Sequence, residues 1–193
     1  MKHAATRALH AYWDRLRGGR SAPERGDLDP AAIRGLLGDV FLLELGGTDR
    51  YVVRLAGTRI CALLGHELKG RSFLQPFLPE DWPDLYRLLD GVAAAAMPAV
   101  AGVVGETDDG RRLDLELLLL PLKHRGRTHS RLVGTLAALD MPYWAGLMPL
   151  VRLRLVSSRH LYDHPPTKDE AGPAPCRPPV AGRLRLLPGG RRA

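Results

Sequence analysis

Histidine is the residue type whose spacing in this sequence comes nearest to a metal site. His160 and His164 are four residues apart, as two ligands on one helix face would be, and His124 and His129 flank a predicted turn. Zinc needs three or four ligands with supporting hydrogen bonds, and neither pair has a cysteine or carboxylate cluster beside it. Two prolines directly after His164 would also end any helix there. We therefore expect solvent-exposed histidines and no metal site.

The other residues that could do chemistry form no familiar catalytic pattern. The sequence has no Gly-x-Ser-x-Gly motif and no phosphate-binding loop, and Gly57, Gly65 and Gly70 have the wrong spacing for a dinucleotide site. The two cysteines, Cys61 and Cys176, are too few for a disulfide framework, which favours a reducing, cytoplasmic setting. We expect that the protein is not an enzyme. The alternative of a small enzyme would depend on Cys61 as its nucleophile.

The net charge of +7 lies almost entirely at the C-terminal end of the sequence. Residues 149–193 carry nine basic and three acidic side chains and hold eight of the 16 prolines. Residues 165–193 have little to bury, so we expect a disordered, basic, proline-rich tail. A tail of this kind supports at most a weak, salt-dependent contact with nucleic acid. A nucleic-acid accessory protein is therefore a second alternative.

The rest of the composition, with 45% hydrophobic and 25% charged residues, is typical of a globular protein. No apolar run approaches the ~20 residues that a membrane-spanning helix needs. The first 17 residues are too polar for a signal peptide. We therefore expect no membrane span.

Helical periodicity predicts three helical segments besides a short one, Thr58–Leu64, that follows the second strand. The first presents one apolar face and ends at Gly18-Gly19; its apolar bulk should pack on the sheet or on a second subunit. A short helix is expected from Ala31 to Leu37, after the N-cap Asp29 and Pro30, and a longer one from Glu80 to Ala96. The apolar residues of the first helix, which are our candidates for a partner or dimer contact, are Leu9, Tyr12, Trp13 and Leu16.

Alternating apolar residues predict five strands. Two precede the long helix, Val40–Leu45 and a segment that begins at Tyr51, with Tyr51, Val53 and Leu55 on one face. A short helix from Thr58 to Leu64 should follow the second strand.

Three further strands follow the long helix, and Asp108-Asp109-Gly110 is a strong hairpin signal between the first two. These strands are expected at Val100–Thr107, Arg111–Pro121 and Arg131–Leu139. In the middle strand the leucines should face the core, with Asp114 and Glu116 on the outer face.

The order of these elements predicts an α+β fold with a five-stranded antiparallel sheet. The last three strands form a meander, and the first two add most simply beside the final strand, which gives the spatial order 2-1-5-4-3. This is the strand order of PAS domains. The structure of residues 141–164 is left open.

Individual residues strengthen the similarity to PAS domains. The run from Tyr51 to Phe73, YVVRLAGTRICALLGHELKGRSF, resembles the second strand and first helices of that family, most specifically from Arg54 onward. The whole pattern resembles a stand-alone PAS subfamily common in alphaproteobacteria, long catalogued as a domain of unknown function. The resemblance covers about residues 8–160. The flanking motifs that add to it are Tyr12-Trp13, Arg17-Gly18-Gly19, Asp29-Pro30 and Leu36–Glu44.

The resemblance implies a sheet that curls around helices and can enclose a small ligand, a haem or a flavin. Haem would need an inward His or Cys; Cys61 and His66 lie near the right helices, but charged neighbours place His66 at an exposed edge. The sequence around Cys61 does not match the photoreactive motif Asn-Cys-Arg-Phe-Leu-Gln, so we expect no flavin photosensor, and the cofactor is left unknown. A solid core is the alternative to a ligand pocket. The candidate pocket residues are Val53, Leu55, Ile60, Cys61, Leu64, Phe73, Trp82, Leu115, Leu117, Val133 and Thr135.

The expected function is that of a cytoplasmic, non-catalytic PAS-type regulatory protein. It would sense a small ligand or bind a protein partner, including a second copy in a homodimer, and signal through its flanking helices. The expected organisation is an N-terminal helix and linker (1–28), a PAS-like domain (29–140), a C-terminal extension (141–164) and the disordered tail (165–193).

Overall fold

The computed structural model describes residues 1–46, 51–124 and 127–161, with the main chain alone at 127–129. The predicted tail, Cys176 and His164 lie outside these ranges, and His129 is described by its main chain only. None of the helices in the described ranges is long and apolar enough to cross a membrane. The elements are α1 (Ala4–Arg17), β1 (Val40–Glu44), β2 (Val52–Ala56), α2 (Thr58–Leu64), α3 (Trp82–Ala95), β3 (Ala99–Thr107), β4 (Arg112–His124), β5 (Arg127–Ala138) and β6 (Leu150–His160).

The strands form one antiparallel sheet in the order β2-β1-β5-β4-β3-β6. This confirms the predicted α+β class and the order 2-1-5-4-3, with one strand added at the edge. The added strand, β6, lies in the segment 141–164 whose structure was left open. It pairs with β3 from Ala99↔His160 to Thr107↔Leu150, with two irregularities in the register.

The sheet has a hydrophobic cluster on each face. On the inner face, α2, α3 and the segments between them cover Phe41 and the leucines of β4 that were expected in the core, such as Leu115 and Leu117. On the outer face, α1 packs Leu9 and Trp13 against β4, β5 and β1. Strands β4 and β5 are therefore covered on both faces over much of their length.

The predicted helix over residues 31–37 is absent, and two 3-10 turns, Pro30–Ile33 and Leu37–Asp39, take its place. The Asp29 carboxylate accepts a hydrogen bond from the Ala31 N–H, as expected of an N-cap. The second turn is held instead by an ion pair, because Arg59 Nε and Nη2 donate to Asp39 at 2.7 and 2.6 Å. Anchoring by Arg59 on α2 favours a tight turn over a continuous helix.

Both edges of the sheet are met by one stretch of chain, residues 70–78, which we call the edge connector. At the β2 edge the Val53 N–H donates to the carbonyl of Arg71 at 2.9 Å. At the β6 edge the Leu153 N–H donates to Pro76 O at 2.9 Å, and the Leu78 N–H donates to Leu153 O at 3.0 Å. The edge connector therefore crosses the open side of the curled sheet and closes over the inner core.

Candidate functional site

The inner face of the sheet encloses an apolar cavity of about 10 Å³. Four of the predicted pocket residues line it, namely Val53, Ile60, Leu64 and Phe73. A cavity needs roughly 10–15 Å³ to hold one water molecule, and a water also needs polar partners, which these walls do not offer. The inner site is therefore a nearly filled apolar core in this conformation.

Four other predicted residues lie near the cavity but not in its wall. Leu115 and Leu117 are buried in the same core. Trp82 is half-buried, and its indole Nε1–H lies 3.1 Å from both the Leu74 and Phe77 carbonyl oxygens, which fastens the edge connector to the start of α3. Cys61 is half-buried on α2. Leu115, Leu117 and Trp82 therefore belong to the core around the cavity, whereas Cys61 belongs neither to its wall nor to that core.

Leu55 was wrongly placed in the pocket, because a β-bulge interrupts the alternation of β2. Leu42 pairs with Leu55 and Leu43 pairs with Val53, so Arg54 is an extra residue between the two pairs. The bulge turns Leu55 away from Val53, and its side chain is 44% exposed.

Val133 and Thr135 were also wrongly placed, because they belong to the outer face of β5. Val133 packs in the cluster beneath α1, and the Thr135 hydroxyl lies 3.3 Å from that of Thr6 in α1. Leu136, the residue directly after Thr135, faces the other way and is the β5 residue that lines the cavity. Both faces of β5 are buried, so its residue types did not reveal which set faces inward.

The Cys61 thiol lies 3.7 Å from a carboxylate oxygen of Glu67. Burial raises the pKa of the Cys61 thiol, and the negative charge of Glu67 raises it further. A thiol in this setting is protonated near neutral pH, which is the opposite of what nucleophilic catalysis requires.

The histidine that the haem hypothesis considered, His66, is exposed, with Nδ1 2.8 Å from the Leu64 carbonyl oxygen. His160, from the predicted histidine pair, is exposed as well. Among the residues that the structure describes, no group of three or more His, Cys, Asp or Glu side chains is arranged to hold a metal ion.

The candidate partner residues of α1 pack against the outer face of the sheet. Leu9 and Trp13 are fully buried, Tyr12 is buried, and Leu16 is partly buried against the same outer cluster. The Trp13 indole Nε1–H donates to the Pro121 carbonyl oxygen of β4 at 2.8 Å. Of the two predicted positions for this helix, on the sheet or on a second subunit, the structure has the first.

Glu116 holds the beginning of α1, a role that sequence analysis missed. Its carboxylate accepts the main-chain N–H groups of Lys2 at 2.6 Å and His3 at 2.9 Å. Burial alone would raise the pKa of Glu116, but these two hydrogen bonds, with the Thr6 hydroxyl and the N-terminal ammonium, together hold the pKa below the ordinary value of 4.5. Negative charge at a helix N-terminus is favourable, so the contact is a polar latch for α1.

One sequence signal for this latch was available. Glu116 is the acid closest to the long apolar run of β4 that continues from Leu117 to Leu122. An acid next to strand positions that are apolar on both faces needs a partner if it is buried. Glu116 was assigned to the outer face, where it does lie, and because α1 covers that face it is only 6% exposed.

Solved structures with a similar fold include light-sensing domains. A LOV protein from Rhodobacter sphaeroides is 12% identical with a TM-score of 0.44, over 54% of this chain and 61% of that one. The light-state structure of the photoreceptor Aureochrome1 LOV is 14% identical with a TM-score of 0.44, over 63% and 94% of the two chains. The PAS domain of an HTR-like protein from Haloarcula marismortui is 22% identical with a TM-score of 0.42, over 56% and 89%. This chain thus spans about three fifths of the Rhodobacter protein.

No curated protein matches the sequence. The family described as PAS domain matches residues 1–137, which is well over half of the chain and includes α1 and the strands from β1 to most of β5. The observed strand order agrees with the fold of that family. The chain therefore belongs to the PAS domain family, whose members are generally sensory and regulatory modules.

Proposed function

We propose that this protein is a non-catalytic regulatory module that responds to a small apolar ligand or a protein partner by changing how α1 is held on the sheet. The observation that carries the proposal is that the cavity and α1 lie on opposite faces of the same strands. Neighbouring residues of a strand point to opposite faces, so a side chain that moves on the inner face directly adjoins one on the outer face.

Strand β5 illustrates this coupling best. Leu136 lines the cavity, and its neighbour Thr135 meets Thr6 of α1 on the other face. In β4, Glu116 stands between Leu115 and Leu117, which are buried in the inner core. Close-packed interiors do not deform smoothly, so a ligand that displaces Leu136 also displaces Thr135.

The contacts of α1 suit a reversible output. Its apolar residues Leu9 and Trp13 would be exposed on release and could then bind another protein or a second copy of the chain. The polar contacts of α1 include the Glu116 latch, the Thr6–Thr135 contact, the Trp13–Pro121 hydrogen bond and the Asp29 N–H bond to the Tyr12 hydroxyl. Release breaks these contacts and exposes buried apolar side chains such as Leu9 and Trp13, so a partner that covers the same face is needed to offset the cost.

The chemistry of Cys61 supports a non-catalytic role. Among the groups that a small enzyme on this fold could use, the thiol was the candidate nucleophile, and its raised pKa keeps it in the unreactive form. A cytoplasmic setting and a basic tail as an extension beyond the folded part remain part of the proposal.

The test joins the two faces in one measurement. Small apolar molecules are screened by NMR for shifts of the Leu136 methyl groups, and hydrogen exchange of the Lys2 and His3 amides is then measured with and without each hit. The expected result is that hits at Leu136 accelerate exchange at Lys2 and His3. A hit that fills the inner site and leaves both amides unchanged would show that α1 is not the output. A Thr135→Val variant serves as the control, because it removes the Thr6 contact while it leaves the cavity wall unchanged.

A further inference from the structure

The edge connector meets β6 along a short seam directly over the cavity. The seam consists of the two hydrogen bonds between Leu153 and residues 76 and 78, together with a third at Asp81. The Asp81 carboxylate accepts the Leu155 N–H at 2.9 Å, and its Oδ2 lies 3.7 Å from Arg154 Nε. Asp81 is 9% exposed, so its hydrogen bond to the Leu155 N–H is largely shielded from water.

The seam has far fewer contacts than the pairing of β6 with β3. Strand β6 pairs with β3 over nine positions, whereas its contact with the edge connector is a single isolated bridge between Phe77 and Leu153. The other end of the edge connector also makes one isolated bridge, Val52↔Ser72, to β2. When β6 and the edge connector part, β6 stays on β3, and the edge connector moves with loss of the Trp82 hydrogen bond to the Phe77 carbonyl.

The residue that this movement would carry out of the core is Phe77. Its side chain is 3% exposed and forms part of the cavity wall, with Pro76 and Leu153 beside it. The side chain of Phe77 is a benzyl group, so its withdrawal leaves an apolar space close to the size of benzene. Dry cavities of roughly 150 Å³ with apolar walls bind benzene.

We propose that this seam is the gate of the inner site, and that a small uncharged apolar molecule is accommodated only when the seam parts and Phe77 moves outward. The inference rests on the proposed ligand-sensing function and adds the ligand class and the access route. The closed cavity of about 10 Å³ cannot hold such a molecule. The ligand-bound state is therefore the open state, and Asp81 is the positioning residue that favours the closed one.

The gate can be tested on the full chain with Asp81→Ala, which removes both the Leu155 hydrogen bond and the contact with Arg154. Asp81→Asn keeps an oxygen acceptor for the Leu155 N–H and serves as a milder variant. Asp84→Ala is the matched control, because Asp84 is an exposed acid in the first turn of α3. The two readouts are amide exchange at Leu153 and Leu155 and the affinity for benzene, followed through the methyl groups of Leu136.

Loss of a hydrogen bond to a buried charged acceptor changes an equilibrium by about tenfold or more. The expected result for Asp81→Ala is therefore about tenfold faster exchange at Leu153 and Leu155, with amides of the β3–β6 ladder unchanged. Benzene should bind about tenfold more tightly, because its apparent affinity rises in proportion to the population of the open state, the only state that binds it. Asp81→Asn should fall between Asp81→Ala and the native protein, and Asp84→Ala should match the native protein.

Two contrary results are distinguishable. If benzene shifts the Leu136 methyl groups equally in all variants while Leu153 and Leu155 stay protected, the gate is wrong and ligand sensing stands. If benzene reaches the cavity in no variant, ligand sensing fails and the gate fails with it. Faster exchange spread evenly over the whole β3–β6 ladder would also overturn the gate, because it would mean that β6 itself detaches.

Discussion

Replacement of Glu116 is the sharpest test of how α1 is held. Its carboxylate accepts two main-chain N–H groups at the start of the helix, from Lys2 and His3. Hydrogen bonds to a charged acceptor contribute about 1.5–3 kcal/mol each, and an anion at a helix N-terminus contributes about 0.3–1 kcal/mol, or up to about 2 kcal/mol when it is partly buried. These values overlap, because the same N–H groups carry the positive end of the helix dipole.

Glu116→Ala removes the acceptor of both N–H groups, at a place where Lys2 is exposed and His3 is half-buried, so that water replaces part of the lost bonding. We expect a loss of about 2–4 kcal/mol in the free energy that holds α1 on the sheet. Glu116→Gln keeps the shape and one acceptor oxygen but loses the charge, and we expect about 1–2 kcal/mol. Asp114→Ala is the matched control, because Asp114 lies on the same strand and face but is exposed; we expect a change within about 0.5 kcal/mol.

The latch also predicts a pH dependence. The pKa of Glu116 is lower in the folded protein than its ordinary value of 4.5. The stabilisation by the carboxylate is therefore fully present above about pH 4.5 and is lost as the pH falls through the lower, folded-state pKa. The stability difference between the native protein and Glu116→Gln should shrink over that range.

The assay is hydrogen exchange of the α1 amides combined with urea unfolding, at pH 7 and in acid. Since 1.4 kcal/mol corresponds to a factor of ten, Glu116→Ala should raise the opening of α1 by about 30- to 1,000-fold. If Glu116→Ala exchanges like Asp114→Ala, the latch does not hold α1. A gap between the native protein and Glu116→Gln that stays constant into acid would refute the pH argument.

Three further changes test other parts of the structure. Trp13→Ala should cost about 3–5 kcal/mol in unfolding free energy, since it removes a fully buried ring and leaves the Pro121 carbonyl without its indole donor; Trp13→Phe should cost clearly less. Gly57→Ala should cost about 3–5 kcal/mol, because its Cβ would meet two backbone oxygens of the preceding turn, whereas Gly35→Ala, with open space around it, should be nearly neutral in thermal unfolding. With the other cysteine replaced by serine, Cys61 should react with iodoacetamide more slowly than free cysteine at pH 7, and its rate should rise only as the pH approaches or exceeds 9. A fast reaction at pH 7 would contradict the raised pKa of the thiol.

The sheet was predictable from the sequence because strand pairing follows from local signals. The Asp108-Asp109-Gly110 turn sets the β3–β4 hairpin, and the leucines that alternate from Leu113 to Leu119 all face the inner core, as expected. The order of the first two strands beside β5 follows from chain length and simple connections. These rules do not depend on knowing what covers each face.

The composition of the site was less predictable, for two physical reasons. The bulge at Arg54 is a main-chain feature that the alternation of Val53 and Leu55 does not reveal. The second reason is that α1 covers the outer face, so Val133 and Thr135 are as buried as the residues on the cavity side. Periodicity locates a strand, but it assigns faces only when one of them meets water.

The structure of the segment that forms the sixth strand was left open because its sequence does not alternate cleanly. Only Leu150 and Leu153 of β6 are buried, and most of the strand is exposed at the edge of the sheet. Exposed arginines such as Arg152 and Arg154 are typical of an edge strand, but they are equally typical of a polar extension. The pairing partner, β3, lies about 50 residues earlier and gives no local signal.

The position of α1 has a consequence for how the chain reaches its native state. The partners of this helix come from much later in the sequence, because Trp13 bonds to Pro121 and Thr6 meets Thr135. At about 5–20 residues per second, a ribosome needs roughly 5–25 s to produce the intervening chain. Throughout that interval the helix lacks the β4 and β5 side chains that cover much of its apolar face. Docking of α1 is therefore a late folding event, and the nascent chain is a natural client for a chaperone until β4 and β5 are complete.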